Sequence, residues 1–151
     1  MDEKERIRQL IESSDATDFA PFGQGTSQAW IDRAESRLGF KLPPSYVWWA
    51  KNFGGGEIDG EEVFSIYPTE DVEASGDLAH MRDVKLKNKT AQPNQLFITA
   101  TQVDEAFFFK LDEPGVDGEF PVYVWDSING EERKYADDFL GFLERRITEA
   151  G

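Results

Sequence analysis

Apolar residues recur at helical spacing in five stretches of the chain, with short near-continuous apolar runs between them. The first helix is expected from about Asp2 to Glu12, where Ile7, Leu10 and Ile11 make a narrow stripe. Ser13 to Thr26 reads as a loop broken by Pro21, Gly23 and Gly25. A second helix starts near Thr26 or Ser27, either of which can accept from an orphan backbone N–H. Trp30, Ile31, Ala34 and Leu38 mark its buried face, and Gly39 stands where a left-handed cap belongs. Phe40 to Leu42 is expected to be extended ahead of Pro43. Pro44 suits the first turn of a third helix, because the N–H it lacks has no helical partner there. Tyr46, Trp49, Ala50 and Phe53 form that helix's inner face, and Gly54, Gly55 and Gly56 stop it.

Strands follow. Glu61 to Tyr67 is short, apolar and closed by Pro68. Asp71 to about Val84 reads as helical, with Val72, Leu78 and Met81 inward and Gly76 against it. Leu96 to Thr101 and Ala106 to Leu111 predict a hairpin turning near Val103, Asp104 and Glu105. Pro121 to Trp125 predicts a further strand. The last helix runs from about Asp137 to Glu149, with Phe139, Leu140, Leu143 and Ile147 on one side. Asp137 and Asp138 sit at its positive end, Arg145 and Arg146 toward its negative end. Helices, then mostly consecutive strands, then a helix predict an α+β fold. Its sheet is antiparallel or mixed and curved, with the N-terminal helices and the C-terminal helix packed against it. Residues 1–151 read as one domain, without internal repeat or dividing linker.

Composition narrows the function. Twelve Phe, four Trp and four Tyr provide for a core in a chain of 151 residues. There is no cysteine, which removes disulfides and thiolate chemistry and fits a reducing compartment. The charged start leads into no apolar signal region, and no apolar run nears the roughly 20 residues that span a bilayer. A cytoplasmic protein is expected. Thirty acids against 16 lysines and arginines give a net charge of −14. Such a surface repels phosphate backbones and anionic membranes, and attracts basic proteins. The same acidity also serves solubility alone.

No reaction chemistry stands out. The one histidine, His80, lies in a helical context beside Ala79 and Met81. Asp112, Glu113, Asp117 and Glu119 crowd a loop that could hold a hard cation, but their spacing is not that of a calcium loop, and Gly115 and Gly118 read as turns. The Gly54–Gly56 run lacks the lysine and the following helix of a phosphate loop. Glu35, beside the apolar face of its helix, reads as a surface carboxylate or as one bonded to nearby backbone for structure. Cofactors and metals are not expected. Charge distribution says more. Gly54 to Met81 holds no lysine or arginine, but does hold Glu57, Asp59, Glu61, Glu62, Glu70, Asp71, Glu73 and Asp77. A second acidic stretch runs from Asp104 to Glu119, and Arg82, Lys85, Lys87 and Lys89 form a basic patch between the two. Charge this uneven can orient a partner, although charge runs are usually solvated faces.

The stretch Ile31 to Tyr46 carries Glu35, Leu38 and Gly39, then Leu42 and Pro43, then Tyr46 opening a helix that ends at Asn52, Gly54 and Gly55. This order resembles the SMI1/KNR4 family of the SUKH superfamily. Ile66-Tyr67-Pro68, the late strand Pro121 to Asp126 with Trp125, and the closing Tyr135 to Leu143 segment with Phe139 follow in the family's order. The resemblance covers roughly residues 27 to 147, and the double tryptophan Trp48-Trp49 departs from it. It implies a non-enzymatic role. Bacterial members are mostly immunity proteins that neutralise a cognate toxin, often a nuclease, and fungal relatives act through protein contacts in cell-wall regulation. The expected partner is therefore a basic toxin met by Glu57, Asp59, Glu61, Glu62 and Trp48, with oligomeric state open between monomer and weak dimer. The alternative is an adaptor or regulator on the same fold.

Overall fold

Each helix is fixed at its ends by a local bond or a special backbone angle. The computed structural model describes residues 2–69, 76–100 and 104–150. Helix α1 (Glu3–Ser13) is capped by Asp2, whose carboxylate accepts from the Glu5 N–H at 2.8 Å. Helix α2 (Gln28–Leu38) ends at Gly39, which is left-handed at φ 90° and donates its N–H to the Glu35 carbonyl. No atom lies where a Gly39 side chain would sit, so the glycine serves the backbone angle alone. Helix α3 (Pro44–Asn52) opens on Pro44 as expected. Helix α4 (Leu78–Lys87) is capped by Asp77, and α5 (Phe139–Ala150) by Asp138, which accepts from the Gly141 N–H.

The described strands form two antiparallel sheets. The first is β1 (Thr17–Phe19), β2 (Gly56–Ile58) and β3 (Glu61–Val63), in that order. The second is β4 (Gln95–Phe97), β5 (Glu105–Lys110), β6 (Val122–Asp126) and β7 (Glu131–Ala136), also in sequence order. Beyond β3, the Phe64 N–H donates to the Ile98 carbonyl, which ties the end of one sheet to the other.

Strand β5 explains why its sequence is apolar throughout. Phe107 and Phe109 face the main core, while Ala106 and Phe108 face a second cluster with Ala91 and Phe97. The main core joins helices to both sheets through aromatic rings. Phe139 lies 5.1 Å from Tyr46 and 5.3 Å from Trp49, and Phe142 lies 5.1 Å from Phe107. All are fully buried, each at a gain of roughly 1.5–3 kcal/mol over exposure.

The α+β architecture agrees with the sequence, and several elements differ in detail. Residues 13–26 contain a strand, β1, rather than loop alone. The glycine run does more than stop α3: Gly56 begins β2, and a side chain there would collide with the Asp18 carbonyl of β1. The segment expected as one strand from Glu61 to Tyr67 is regular only to Val63. Helix α4 starts at Leu78, so Gly76, which is left-handed, and the cap Asp77 are not part of the expected helix; Glu70, Asp71, Val72 and Glu73 lie outside the described residues. Ser27 takes the N-cap position of α2 without a side-chain bond. Strand β7 was not expected at all.

Candidate partner-binding face

The three-stranded sheet is built around a two-residue turn. Asp59 and Gly60 both have positive φ, 51° and 80°, the conformation that closes a tight hairpin with the native twist. Ile58 then points into the core at 1% exposure, and alternation turns Glu57 outward. Register does the rest. Asp18 on β1 pairs with Glu57 on β2, and Glu57 pairs with Glu62 on β3. Three carboxylates therefore stand in one row across the outer face, on strands about 4.8 Å apart.

Like charges directly opposite one another on a sheet are destabilising. Among the described residues no lysine or arginine forms an ion pair with Asp18, Glu57, Asp59 or Glu62. Glu62 is half-buried: a side chain on Gly76 would come within 2.4 Å of its carboxylate, and the Tyr67 hydroxyl is hydrogen-bonded to it. Burial first, and then the Glu57 carboxylate, push Glu62 above the ordinary carboxylate pKa, against the Tyr67 bond. Asp18, the third member, was missed because it sits on β1, whose three residues carry no readable alternation.

Glu61 is placed differently from its neighbours. It shares the inner face with Ile58 and approaches the Arg146 guanidinium of α5 at 3.9 Å. Burial raises its pKa, Arg146 lowers it, and Glu105 and Asp59 raise it further. Trp48 is half-buried on α3, its ring 5.9 Å from Phe53, which also touches Phe19 and Phe22. Its carbonyl accepts from the Asn52 amide. The structure therefore joins Asp18, Glu57, Asp59 and Glu62 on one small sheet, with Glu61 beneath and Trp48 on α3 at the margin of the main core.

The residues of the sequence motif hold the scaffold. The Glu35 carboxylate, only a tenth exposed, accepts the Leu42 N–H at 2.7 Å, so it bonds backbone for structure. Pro43 is the N-cap of α3, Leu42 is buried, and Leu38 packs against the core. The Tyr46 hydroxyl donates to the Phe64 carbonyl at 2.7 Å, linking α3 to the chain beyond β3. Gly54 and Gly55 are left-handed, and Gly55 leaves room for Ser65 and Tyr67. Trp125 is half-buried against the second cluster, and Phe139 lies at the centre of the first.

Other charged groups are engaged within the fold. The basic patch is divided: Lys85 is buried beneath Phe64 and Phe97 and Arg82 donates to the carbonyls of Gln95 and Pro93, while Lys87 and Lys89 are exposed. In the second acidic stretch, Glu119 accepts from both the N–H and the hydroxyl of Ser45, at 2.9 and 2.7 Å. It caps α3 from 74 residues away. No local spacing in the sequence signals that contact. Glu113 accepts from the Tyr123 hydroxyl, and Asp112 from Asn94. Among the described residues no group of three or more His, Asp or Glu is placed to hold a metal ion.

A groove of about 540 Å³ runs between α1, β7 and α5. Four of its carboxylates are engaged: Glu144 pairs with Arg6, Glu149 with Tyr135 and Arg145, Asp137 with Lys134, and Asp138 caps α5; Glu3 also lines it, and burial first and then Asp138 raise its pKa. That arrangement ties α1 and β7 to α5. A family model described as SMI1-KNR4 cell-wall matches residues 28–143, from α2 into α5.

Proposed function

The chain belongs to the SMI1-KNR4 family, and from that premise we propose that it is a non-enzymatic protein-binding domain that neutralises a basic toxin. Family membership supports a role in protein contact. The row Asp18, Glu57 and Glu62, with Asp59 at the adjacent turn, is the observation that carries the rest. A sheet face of carboxylates facing one another without cations costs stability. A partner that supplies lysine or arginine to that face removes the cost and gains steering from a chain of charge −14. Nuclease toxins fit, because a protein that engages phosphate carries basic surface. In the proposal Trp48 on α3 serves as an aromatic anchor, and Glu61, beneath the row on the inner face, supports the sheet through Arg146. The proposal places the complex in the cytoplasm, a reducing compartment that a chain without cysteine suits; no helix among the described residues is long and apolar enough to cross a membrane.

The test is co-expression with the product of the neighbouring gene, read as co-purification and as protection of the host cell. The expected result is a 1:1 complex that protects. Reversal of Glu57, Asp59 and Glu62 to lysine is expected to abolish both while the chain stays folded. Full protection by the folded triple variant contradicts the assignment of this face.

A further inference from the structure

Strand β7 closes the four-stranded sheet and is hydrogen-bonded on one side only, to β6. Among the described residues its free edge meets no other strand; the Arg145 guanidinium reaches the Tyr135 carbonyl at 2.9 Å. Residues 131–134 are exposed. An unpaired edge is a template for another strand, and proteins commonly block it with proline or charge. Here there is no proline, and the charges are Glu131, Glu132, Arg133 and Lys134. Two acids and two bases make this edge locally neutral in a chain of net charge −14. Net charge −14 opposes association of two copies in general, and these four residues add no excess of like charge to it.

The order of the charges selects a register. Antiparallel pairing about a two-fold axis normal to the sheet must place paired side chains on the same face. Centring the axis on Arg133 sets Glu132 opposite Lys134 of the second copy, twice, short of the bulge at Tyr135; each side chain then bridges the facing charge of the second copy and its partner in its own chain, Lys110 at 2.6 Å and Asp137 at 2.6 Å. Both residues lie on the face shared with Trp125 and Tyr123, their cross-strand neighbours in β6. On the opposite face Arg133 meets its own counterpart. Each is already paired within its own chain to Glu105 at 2.9 Å and Asp126 at 3.5 Å, so the two guanidiniums lie among carboxylates. We propose that β7 is a self-complementary docking edge, and that two copies of this chain join by antiparallel β7–β7 pairing into one continuous sheet. The edge shares no residue with the acidic row, so this inference stands apart from toxin binding.

Sedimentation equilibrium of the full chain from micromolar to about 1 mM tests it. A concentration-dependent dimer is expected. Lys134→Glu and Glu132→Lys, each confirmed as folded by circular dichroism, should each weaken self-association about ten-fold by setting like charges opposite. An equimolar mixture of the two variants should associate again, because lysine then faces glutamate in both pairs. A monomer at every concentration overturns the proposal. So does a dimer indifferent to both substitutions, or a mixture of variants that stays apart.

Discussion

At the scale of the residue, buried or half-buried polar groups mark where this fold is fixed. Glu35, Tyr46 and Glu119 each satisfy backbone that nothing else nearby reaches. Glu35 holds the strand-like Leu42 as the chain passes from α2 to α3. Removing it leaves a backbone donor without its partner in a part-buried place, which costs about 1–3 kcal/mol. Glu35→Ala is thus expected to lower the urea midpoint with an unchanged m-value, and Glu35→Gln, which keeps an acceptor oxygen, to lower it less. Two equal variants would mean that the Leu42 bond contributes nothing. The structural use of Glu35 was legible in the sequence because the residue lies beside an apolar helix face just before a left-handed glycine. The use of Glu119 was not, since its partner Ser45 is 74 residues away. Contacts made only in the fold also hid the fate of Lys85, whose charge suggested surface but which lies under the rings of Phe64 and Phe97.

At the scale of the element, the three-stranded sheet holds opposed demands. Its inner face, with Ile58 and Val63, belongs to the core, while its outer face aligns three acids. Glu57, at the middle of the row, faces a carboxylate on each side. Glu57→Gln is expected to stabilise the free chain by about 0.2–1 kcal/mol and to weaken partner binding. A melting temperature that falls would contradict that account of the row. Titration gives a second measure. Glu61 and Glu62 have pKa values raised chiefly by burial, so their folded forms hold protons more readily than the unfolded chain does. Their contribution to stability is present below the ordinary carboxylate value of 4.5 and is lost as pH rises through the raised folded values. Asp126 and Glu149 act in the opposite sense: held below the ordinary range, mainly by hydrogen bonds from Asn129 and Tyr135, they lose their contribution only at still lower pH. Stability measured by thermal denaturation should therefore rise as pH falls from neutral toward about 5, and Glu62→Gln should flatten that rise. An unchanged slope in the variant would contradict it.

Helices were legible at this scale because caps and 3.6-residue spacing are local. Asp2, Pro44 and Gly39 each announced an end correctly. Strands β1 and β2 were not legible, since three residues give no period and Gly56 resembles a stop. Strand β7 was hidden for another reason. An edge strand wet on both faces carries Glu, Glu, Arg and Lys where a half-buried strand alternates. The row Asp18–Glu57–Glu62 could therefore be seen only in part: the sequence showed two of its acids in a charge run, and the register showed that they align.

At the scale of the molecule, charge is distributed by consequence. Most lysines and arginines are drawn into ion pairs, carbonyl bonds or ring contacts, as with Arg6 and Glu144, Lys110 and Glu132, and Arg145 over Tyr135. The excess acid remains at the surface, and one sheet face gathers it in register. On the proposed reading, the long-range field of such a chain steers a basic protein toward it and the acidic row receives it. The deciding measurement is titration calorimetry of the chain against the protein encoded beside it, from about 50 to about 500 mM salt. A 1:1 complex whose affinity falls at least about ten-fold over that range in the wild type, and is weak and nearly salt-independent in the Glu57→Lys, Glu62→Lys variant, is the predicted result. A salt-independent wild-type complex, or a variant that binds as tightly as the wild type, would contradict it.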